Sequence, residues 1–201
     1  MRNYNGIGAG AAAVFLLACW TIGGCGTGVI QIPVSIPLGS AGELDVEAGT
    51  PRTRVGTFTT GDIPIEIGSG SLRIDPSAIT YDQTEAKVAQ SAPTCAEACS
   101  AANVDAASCN AVCSLGQIEA TLWIGMSDEV DTVCETGDQY GPYNATLDEN
   151  GEVTSVDPGS LTFGEKTLEA FNAGGGSFCI TVIAPYDGLV ILDTIAGTVG
   201  L

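Results

Sequence analysis

Short runs of alternating apolar and polar residues, broken by glycine and proline, most constrain the fold of this chain. Between Val29 and Leu38 every second side chain is apolar, and a period of two is the pattern of an extended strand. Pro33 and Pro37 fall on the opposite face and cannot donate to a ladder, so we expect an edge strand or a polyproline-like segment that leads off the membrane. Similar short runs occupy residues 43–47, 53–60, 63–67, 71–75 and 78–81, and Gly68-Ser69-Gly70 predicts a hairpin turn.

The second half of the chain also contains short apolar runs separated by turn residues. Apolar residues alternate from Ile118 to Ile124, and Asn150-Gly151 predicts a type I′ hairpin turn. The apolar runs at 178–183 and 189–192 predict central strands that are buried on both faces. Weaker patterns indicate strands at 129–134 and 143–147 and a short helix at 166–173. The sequence therefore predicts a mainly β fold with sandwich-like antiparallel sheets.

An alanine-rich segment, residues 93–116, interrupts these strands and predicts a short helical hairpin. Thr94 and Glu97 have capping-box spacing, Asp105 can cap a second helix, and Gly116 can end it. Four cysteines occur in two pairs whose members are four residues apart, a spacing that puts both on one face of a helix.

Two antiparallel helices would bring these cysteine faces together. The outer bond then joins Cys95 to Cys113, and the inner bond joins Cys99 to Cys109. The segment resembles the twin CX3C helical hairpins of small disulfide-stapled proteins, a resemblance that implies geometry and no function. A zinc site built from the same four thiolates is the alternative.

Two further cysteines, Cys134 and Cys179, remain to form a third disulfide. Six cysteines allow fifteen connectivities, so this pair follows only once the hairpin cysteines are paired. Disulfides fit an exported chain better than zinc does.

The first twenty-five residues indicate export. Arg2 precedes an apolar run from Ile7 to Ile22, and small residues follow it. Ile22-Gly23-Gly24-Cys25 resembles the lipobox of bacterial lipoproteins, which implies a lipid on Cys25 and cleavage before it. Cys19, after Leu16-Leu17-Ala18, is the rival lipid site. An uncleaved membrane anchor or an ordinary signal peptide is a further alternative.

This interpretation divides the chain into a signal peptide (1–24), a tether with the first strand (25–42) and a β-sandwich-like domain (43–201) that contains the hairpin. It predicts a cell-envelope protein, anchored to membrane lipid and facing the periplasm or the exterior.

Charge and composition exclude several functions. The chain has 24 acidic and 6 basic residues, no histidine and a net charge of −18. Too few cations are present to release counterions from phosphates, so we expect no nucleic-acid partner. Without histidine, Ser-His-Asp and Cys-His catalysis and His-ligated zinc are excluded.

Acidic loops are the remaining candidates for metal binding. One follows Trp123, and a second, Asp148-x-Asn150-x-Glu152, has the start of an EF-hand loop but has Val153 where that loop needs glycine. Solvated loops explain both better, so we assign no metal site and no cofactor. The acids of the first loop are Asp128, Glu129, Asp131, Glu135 and Asp138.

The sequence thus predicts a membrane-tethered extracytoplasmic lipoprotein that acts as a binding or structural module, with its protein or glycan partner unidentified. An enzyme is the less favoured interpretation, and we assign no catalytic residues. The alternatives are a hydrolase that uses carboxylates alone, marked by two close acids in a deep pocket, and a calcium-dependent adhesion module.

Overall fold

A computed structural model describes residues 31–60, 66–83 and 92–200 of the chain. The strands are β1 (Gln31–Pro37), β2 (Glu43–Val46), β3 (Arg52–Thr59), β4 (Ser69–Arg73), β5 (Ile79–Gln83), β6 (Gln117–Met126), β7 (Asp138–Leu147), β8 (Val153–Asp157), β9 (Leu161–Thr162), β10 (Gly175–Ile183), β11 (Gly188–Leu192) and β12 (Thr194–Gly200). The helices are α1 (Ala92–Ala101), α2 (Ala106–Cys109), α3 (Val133–Thr136) and α4 (Glu165–Asn172), and one π-helical turn (Asn110–Ser114) continues α2. Short 3₁₀ turns lie at Gly39–Gly42, Pro76–Ala78 and Ser127–Glu129.

Three antiparallel sheets form the fold, so the predicted mainly β architecture is confirmed. Their strand orders are β3-β10-β6-β7-β8, β1-β12-β4-β9 and β2-β11-β5. All three contribute to one apolar core, to which Ile180 of β10, Ile195 of β12 and Val190 of β11 belong. Because every sheet covers part of this core, the alternation in the sequence corresponds to an inner and an outer face of each sheet.

Strand β1 lies at the edge of its sheet, as its prolines predict. It pairs with β12 along its whole length, from Gln31 opposite Gly200 to Pro37 opposite Thr194. Ile36 is buried, whereas its neighbours Ser35 and Pro37 are exposed. The first and last described strands are therefore direct partners.

The two predicted central strands differ in burial. β10 lies between β3 and β6, and eight of its nine residues are buried on one or the other face. β11 is also a central strand, but only Val190 and Leu192 are buried, while Leu189 and Ile191 are half-buried. The prediction of burial on both faces is confirmed for β10 and wrong for β11.

Local structure departs from the sequence prediction at three places. Residues 129–134 are not a strand, because the chain there forms a 3₁₀ turn and then α3. The turn at Asn150-Gly151 is not type I′, since only Gly151 has a positive φ and the Asp148 amide donates to the Glu152 carbonyl in a longer loop. β4 pairs with β12 and β9 rather than with the preceding run at 63–67, of which residues 63–65 lie outside the described residues.

Helix α4 is fixed at both ends by side chains. Its Thr167 amide donates to the Asp138 carboxylate (2.7 Å) at the start of β7, and the Asn172 side chain bonds both the amide and the carbonyl of Ile67. A Cβ at Gly164 would lie 2.3 Å from Asp138 Cγ, so this close approach requires glycine. The contacts hold the helix, predicted at 166–173 and observed at 165–172, against the core through Phe171.

None of the helices in the described ranges combines the length and the apolar character that crossing a bilayer requires. The predicted signal and lipid-attachment residues lie outside those ranges.

Candidate functional site

The cysteine-rich segment forms the predicted hairpin. α1 and α2 are joined by a short loop, and Asp105 caps α2 by accepting from the amides of Ala107 (2.9 Å) and Ser108 (3.1 Å). Gly116 follows the second arm with φ +67°, the left-handed conformation that ends a helix. α1 begins at Ala92, so Thr94 lies inside the helix rather than at the predicted N-cap.

Two disulfides are formed. Cys95 in α1 is bonded to Cys113 at the end of the π turn, with a Cα–Cα distance of 5.6 Å. Cys134 in α3 is bonded to Cys179 in β10, with a Cα–Cα distance of 5.2 Å. The first bond closes the hairpin, and the second fixes α3 to β10, an interior strand of the five-stranded sheet.

The inner bond expected from the sequence is not formed, because Cys99 and Cys109 are free thiols. Cys99 is fully buried, and Cys109 is half-buried. The Cys99 sulfur also lies 3.4 Å from the Cys113 sulfur. A disulfide sulfur has no proton, so in this contact only Cys99 can donate.

The π turn explains why the hairpin is less symmetrical than predicted. An α-helix would place Cys109 and Cys113 on one face, whereas the wider π turn between them rotates one away from the other. Cys113 thereby lies close to both cysteines of α1, and the sulfurs of Cys95, Cys99 and Cys113 are all within 4.8 Å of one another. No feature of the sequence marks the extra residue of this turn.

Burial and negative charge surround the free thiols. Burial raises the pKa of the Cys99 thiol, and Cys109, Glu119 and Asp105 act in the same direction; together they raise it to about 12. Burial also raises the pKa of Glu119, which lies on β6 and is only 7% exposed, although the Ser108 hydroxyl partly offsets that effect. Asp105 is exposed, and hydrogen bonds from Ser108 and Ala107 hold its pKa below the ordinary value.

Apolar contacts hold the hairpin against the sheet. Val112 is fully buried and forms a small cluster with Cys95, Ala48 and Ile183. Gly49, with φ +69°, lets the loop before β3 approach α1 so closely that a Cβ there would lie 2.4 Å from the Cys95 carbonyl oxygen. Packing therefore anchors the hairpin to the rest of the domain, whereas the Cys95–Cys113 disulfide joins the two arms of the hairpin to each other.

Three of the acidic residues considered for metal binding, Glu129, Asp138 and Asp148, make structural contacts instead. Glu129 forms an ion pair with Lys166 (3.4 Å), and Asp138 accepts from the α4 amide described above. Asp148 accepts from the backbone amides of Asn150 and Glu152, each at 2.8 Å, and so shapes its own loop. Within the described ranges, only the cysteine group places three metal-ligating side chains this close together.

A shallow polar groove of about 340 Å³ lies beside β2 and the edge strand β3. Arg52 and Arg54 line it together with Leu44, Asp45 and Thr53. Arg52 is paired with Glu47, whereas Arg54 forms no ion pair with any described residue. Arg52 and Arg54 are two residues apart in β3 and therefore lie on the same face of the strand, in a chain that is strongly acidic.

Sequence reasoning missed Glu119 and the two arginines. Glu119 alternates with the apolar residues of β6, a position that indicates solvent exposure, but the hairpin covers it and leaves it only 7% exposed. The only available signal is the short link between the hairpin and β6, which forces a close return. Arg52 and Arg54 become neighbours of β2 only through the tertiary fold.

No protein-family model, no curated protein and no solved structure matches this chain.

Proposed function

We propose that this protein is a cell-envelope lipoprotein, held to the membrane by a lipid on Cys25, whose β domain acts as a binding module. The observation that carries the proposal is the sequence Ile22-Gly23-Gly24-Cys25 after a short apolar run with a single basic residue. The disulfides of the folded domain are consistent with it, because such bonds persist in oxidising compartments.

The chain length between the lipid site and the domain limits how far the domain can lie from the bilayer. Five residues separate Cys25 from Gln31, where β1 begins. An extended segment of this length reaches at most about 20 Å. The edge of the four-stranded sheet at β1 would therefore be close to the membrane surface.

The edge of β3 is the best candidate for the binding surface. Its outer side has no strand partner among the described residues, and Val55 is 44% exposed there. An open edge can accept an extended peptide through backbone hydrogen bonds. Arg52 and Arg54 would favour a ligand that bears carboxylates.

Two concave features of the described residues favour the binding role over the carboxylate-dependent hydrolase. The groove beside β3 contains one acid, Asp45. A gap of about 10 Å³ between the sheets is lined by apolar residues and Tyr143. Neither feature holds the pair of close acids that glycoside hydrolysis requires.

Replacing Cys25 tests the anchor directly. Cells that express the wild type should incorporate a clickable fatty acid into the protein, and Cys25→Ser should abolish the label and leave the precursor uncleaved. Cys19→Ser is the matched control and should remain labelled and processed. Retained label in Cys25→Ser with lost label in Cys19→Ser would move the anchor to Cys19. Absence of label from the wild type would refute the lipoprotein proposal.

A further inference from the structure

The hydrogen bonds between β3 and β10 determine which backbone groups of β3 face its open edge. The Thr60 amide donates to the Gly174 carbonyl (2.9 Å), and these two residues continue the register in which Thr59 lies opposite Gly175. In an antiparallel ladder, residues that bond the neighbouring strand alternate with residues that do not. The even-numbered residues of β3 therefore bond β10, and the odd-numbered residues direct their amides and carbonyls toward the open edge.

A side-chain contact supports this assignment. Thr53 lies opposite Thr181 in β10, and their hydroxyl oxygens are 2.9 Å apart. Side chains approach each other more closely in the non-hydrogen-bonded pairs of an antiparallel ladder, so Thr53 is one of the outward-facing residues. β3 is the end strand of its sheet and has no strand partner on its other side among the described residues. The outward-facing residues are all exposed, and they are Thr53, Val55, Thr57 and Thr59.

We propose that this edge binds an extended acidic peptide as an additional strand, with backbone hydrogen bonds to Thr53, Val55 and Thr57 and a glutamate or aspartate beside Arg54. The inference rests on the proposed binding role and specifies its ligand. Adding a strand to an open sheet edge is a recurrent mode of peptide recognition. Backbone hydrogen bonds supply the affinity, and alternate side chains supply the specificity.

Arg54 provides the preference for acid. It is exposed and forms no ion pair with any described residue. Arg52 is paired with Glu47 through one guanidinium nitrogen, and a guanidinium has further donors. In a strand that pairs with β3, every second side chain lies on the face that carries the two arginines. Carboxylates at these positions can form charge-assisted hydrogen bonds with them.

Asp45 lines the same groove and opposes an acidic ligand. The chain as a whole also repels one, because its net charge is −18. A preference for an acidic peptide over a basic one therefore has to come from local contacts with the arginines. This makes the sign of the charge preference a sharp test of the proposal.

The test uses the full chain, purified in detergent, and a dye-labelled peptide of sequence Ser-Val-Glu-Thr-Glu-Val-Ser. The sequence reads the same in both directions, so its glutamates can lie beside Arg52 and Arg54 in parallel or antiparallel pairing. Fluorescence anisotropy should show saturable binding, about tenfold tighter than for the same peptide with glutamine in place of glutamate. The peptide with lysine at these positions should bind more weakly than both.

Substitutions in the protein separate the charge contact from the backbone contacts. Arg54→Gln should weaken binding of the glutamate peptide about fivefold and leave binding of the glutamine peptide unchanged, while Asp45→Asn should strengthen binding of the glutamate peptide about twofold. Val55→Pro removes one outward-facing amide, a change that an edge strand tolerates, and should abolish binding of both peptides. Val55→Ala, the matched control, keeps the amide and should bind both.

N-methylated peptides decide the test if Val55→Pro fails to fold, as judged by circular dichroism. One peptide is methylated on its valine and threonine amides, and another on its glutamate amides. Because only alternate amides of a docked strand face β3, one of the two should bind and the other should not. Binding of both would overturn the backbone contacts.

Three further outcomes would overturn the proposal. Equal affinity for the glutamate and glutamine peptides, or unchanged binding in Arg54→Gln, would refute the acidic ligand and leave the edge as a peptide-binding surface. Absence of binding by every peptide would remove the edge of β3 as that surface, whereas the lipid anchor is tested separately by the fatty-acid label. Self-association of the peptide-free chain that Val55→Pro abolishes, measured by analytical ultracentrifugation, would assign the edge to a second copy of the chain.

Discussion

At the scale of single residues, two tyrosines of β7 show how differently a buried hydroxyl can be accommodated. Tyr140 donates to the Thr167 hydroxyl (2.6 Å) and accepts from the Gly164 amide (2.8 Å). Tyr143 is 1% exposed, and its hydroxyl has no hydrogen-bond partner within the described ranges. Burial raises the pKa of both phenols, that of Tyr143 to about 12. A buried polar group without a partner costs about 1–3 kcal/mol of folding free energy.

Tyr143→Phe should therefore leave the free energy of unfolding unchanged or raise it by up to about 1 kcal/mol. Tyr140→Phe, the matched control on the same strand, should lower it by about 1–2 kcal/mol, because the buried Thr167 hydroxyl loses its donor. Urea unfolding followed by tryptophan fluorescence measures both. Equal losses in the two variants would mean that the Tyr143 hydroxyl has a partner.

Glu119 predicts a pH dependence of stability. Burial raises its pKa in the folded state above the ordinary value of 4.5, so folding favours the protonated form. Its favourable contribution is present below pH 4.5 and is lost as the pH rises through the folded-state pKa. Glu119→Gln, which is always neutral, should melt at a higher temperature than the wild type at pH 7, and the difference should shrink as the pH falls toward 4.5.

Thermal melts between pH 4.5 and pH 8 check this expectation. Glu97→Gln, an exposed acid of the same hairpin, is the control and should show little difference at any of these pH values. A difference between wild type and Glu119→Gln that does not vary with pH would contradict the argument.

At the scale of elements, the strands and helices that can be predicted from the sequence are those with a clear pattern of apolar residues. β1 and β6 could be located from alternation, β10 from its apolar run, and α4 from its short segment. Residues 129–134 were predicted wrongly because Val133 is fully buried as part of a helix and Cys134 is bonded to β10. The loop at Asn150 also differs, since the Asp148 carboxylate binds two amides and so selects another turn. Contacts made by the folded chain, rather than the local sequence pattern, therefore determine the structure of both segments.

The hairpin and α3 each depend on their own disulfide, so removing one bond should loosen only one element. In Cys95→Ala/Cys113→Ala, amide hydrogen exchange should accelerate across residues 95–113, because a disulfide typically contributes about 2–4 kcal/mol. Val112 should keep the hairpin partly ordered, and exchange in β10 should stay slow.

Cys134→Ala/Cys179→Ala is the matched variant. It should accelerate exchange in α3 and leave the hairpin amides unchanged, as measured by hydrogen exchange with mass spectrometry. Faster exchange throughout β6 and β10 in the first variant would show that the hairpin supports the whole sheet.

At the scale of the whole molecule, the sequence predicted the β architecture and the cysteine-rich hairpin but not the environment of the free thiols. The cysteines are recognisable from their spacing, whereas Glu119 joins them only when β6 passes under the hairpin. Arg52 and Arg54 likewise gain their neighbours from β2 and the sheet edge. Such sites depend on residues from separate elements, which no local pattern connects.

The pairing of β1 with β12 has a consequence for how the chain is made. β1 emerges from the ribosome before every other described strand, and its only sheet partner emerges after all of them. Long-range pairing of this kind makes folding slow, because a large loop must close before the contact forms. The four-stranded sheet cannot be completed before β12 has been synthesised. Until then the backbone amides and carbonyls of β1 have no sheet partner among the described strands.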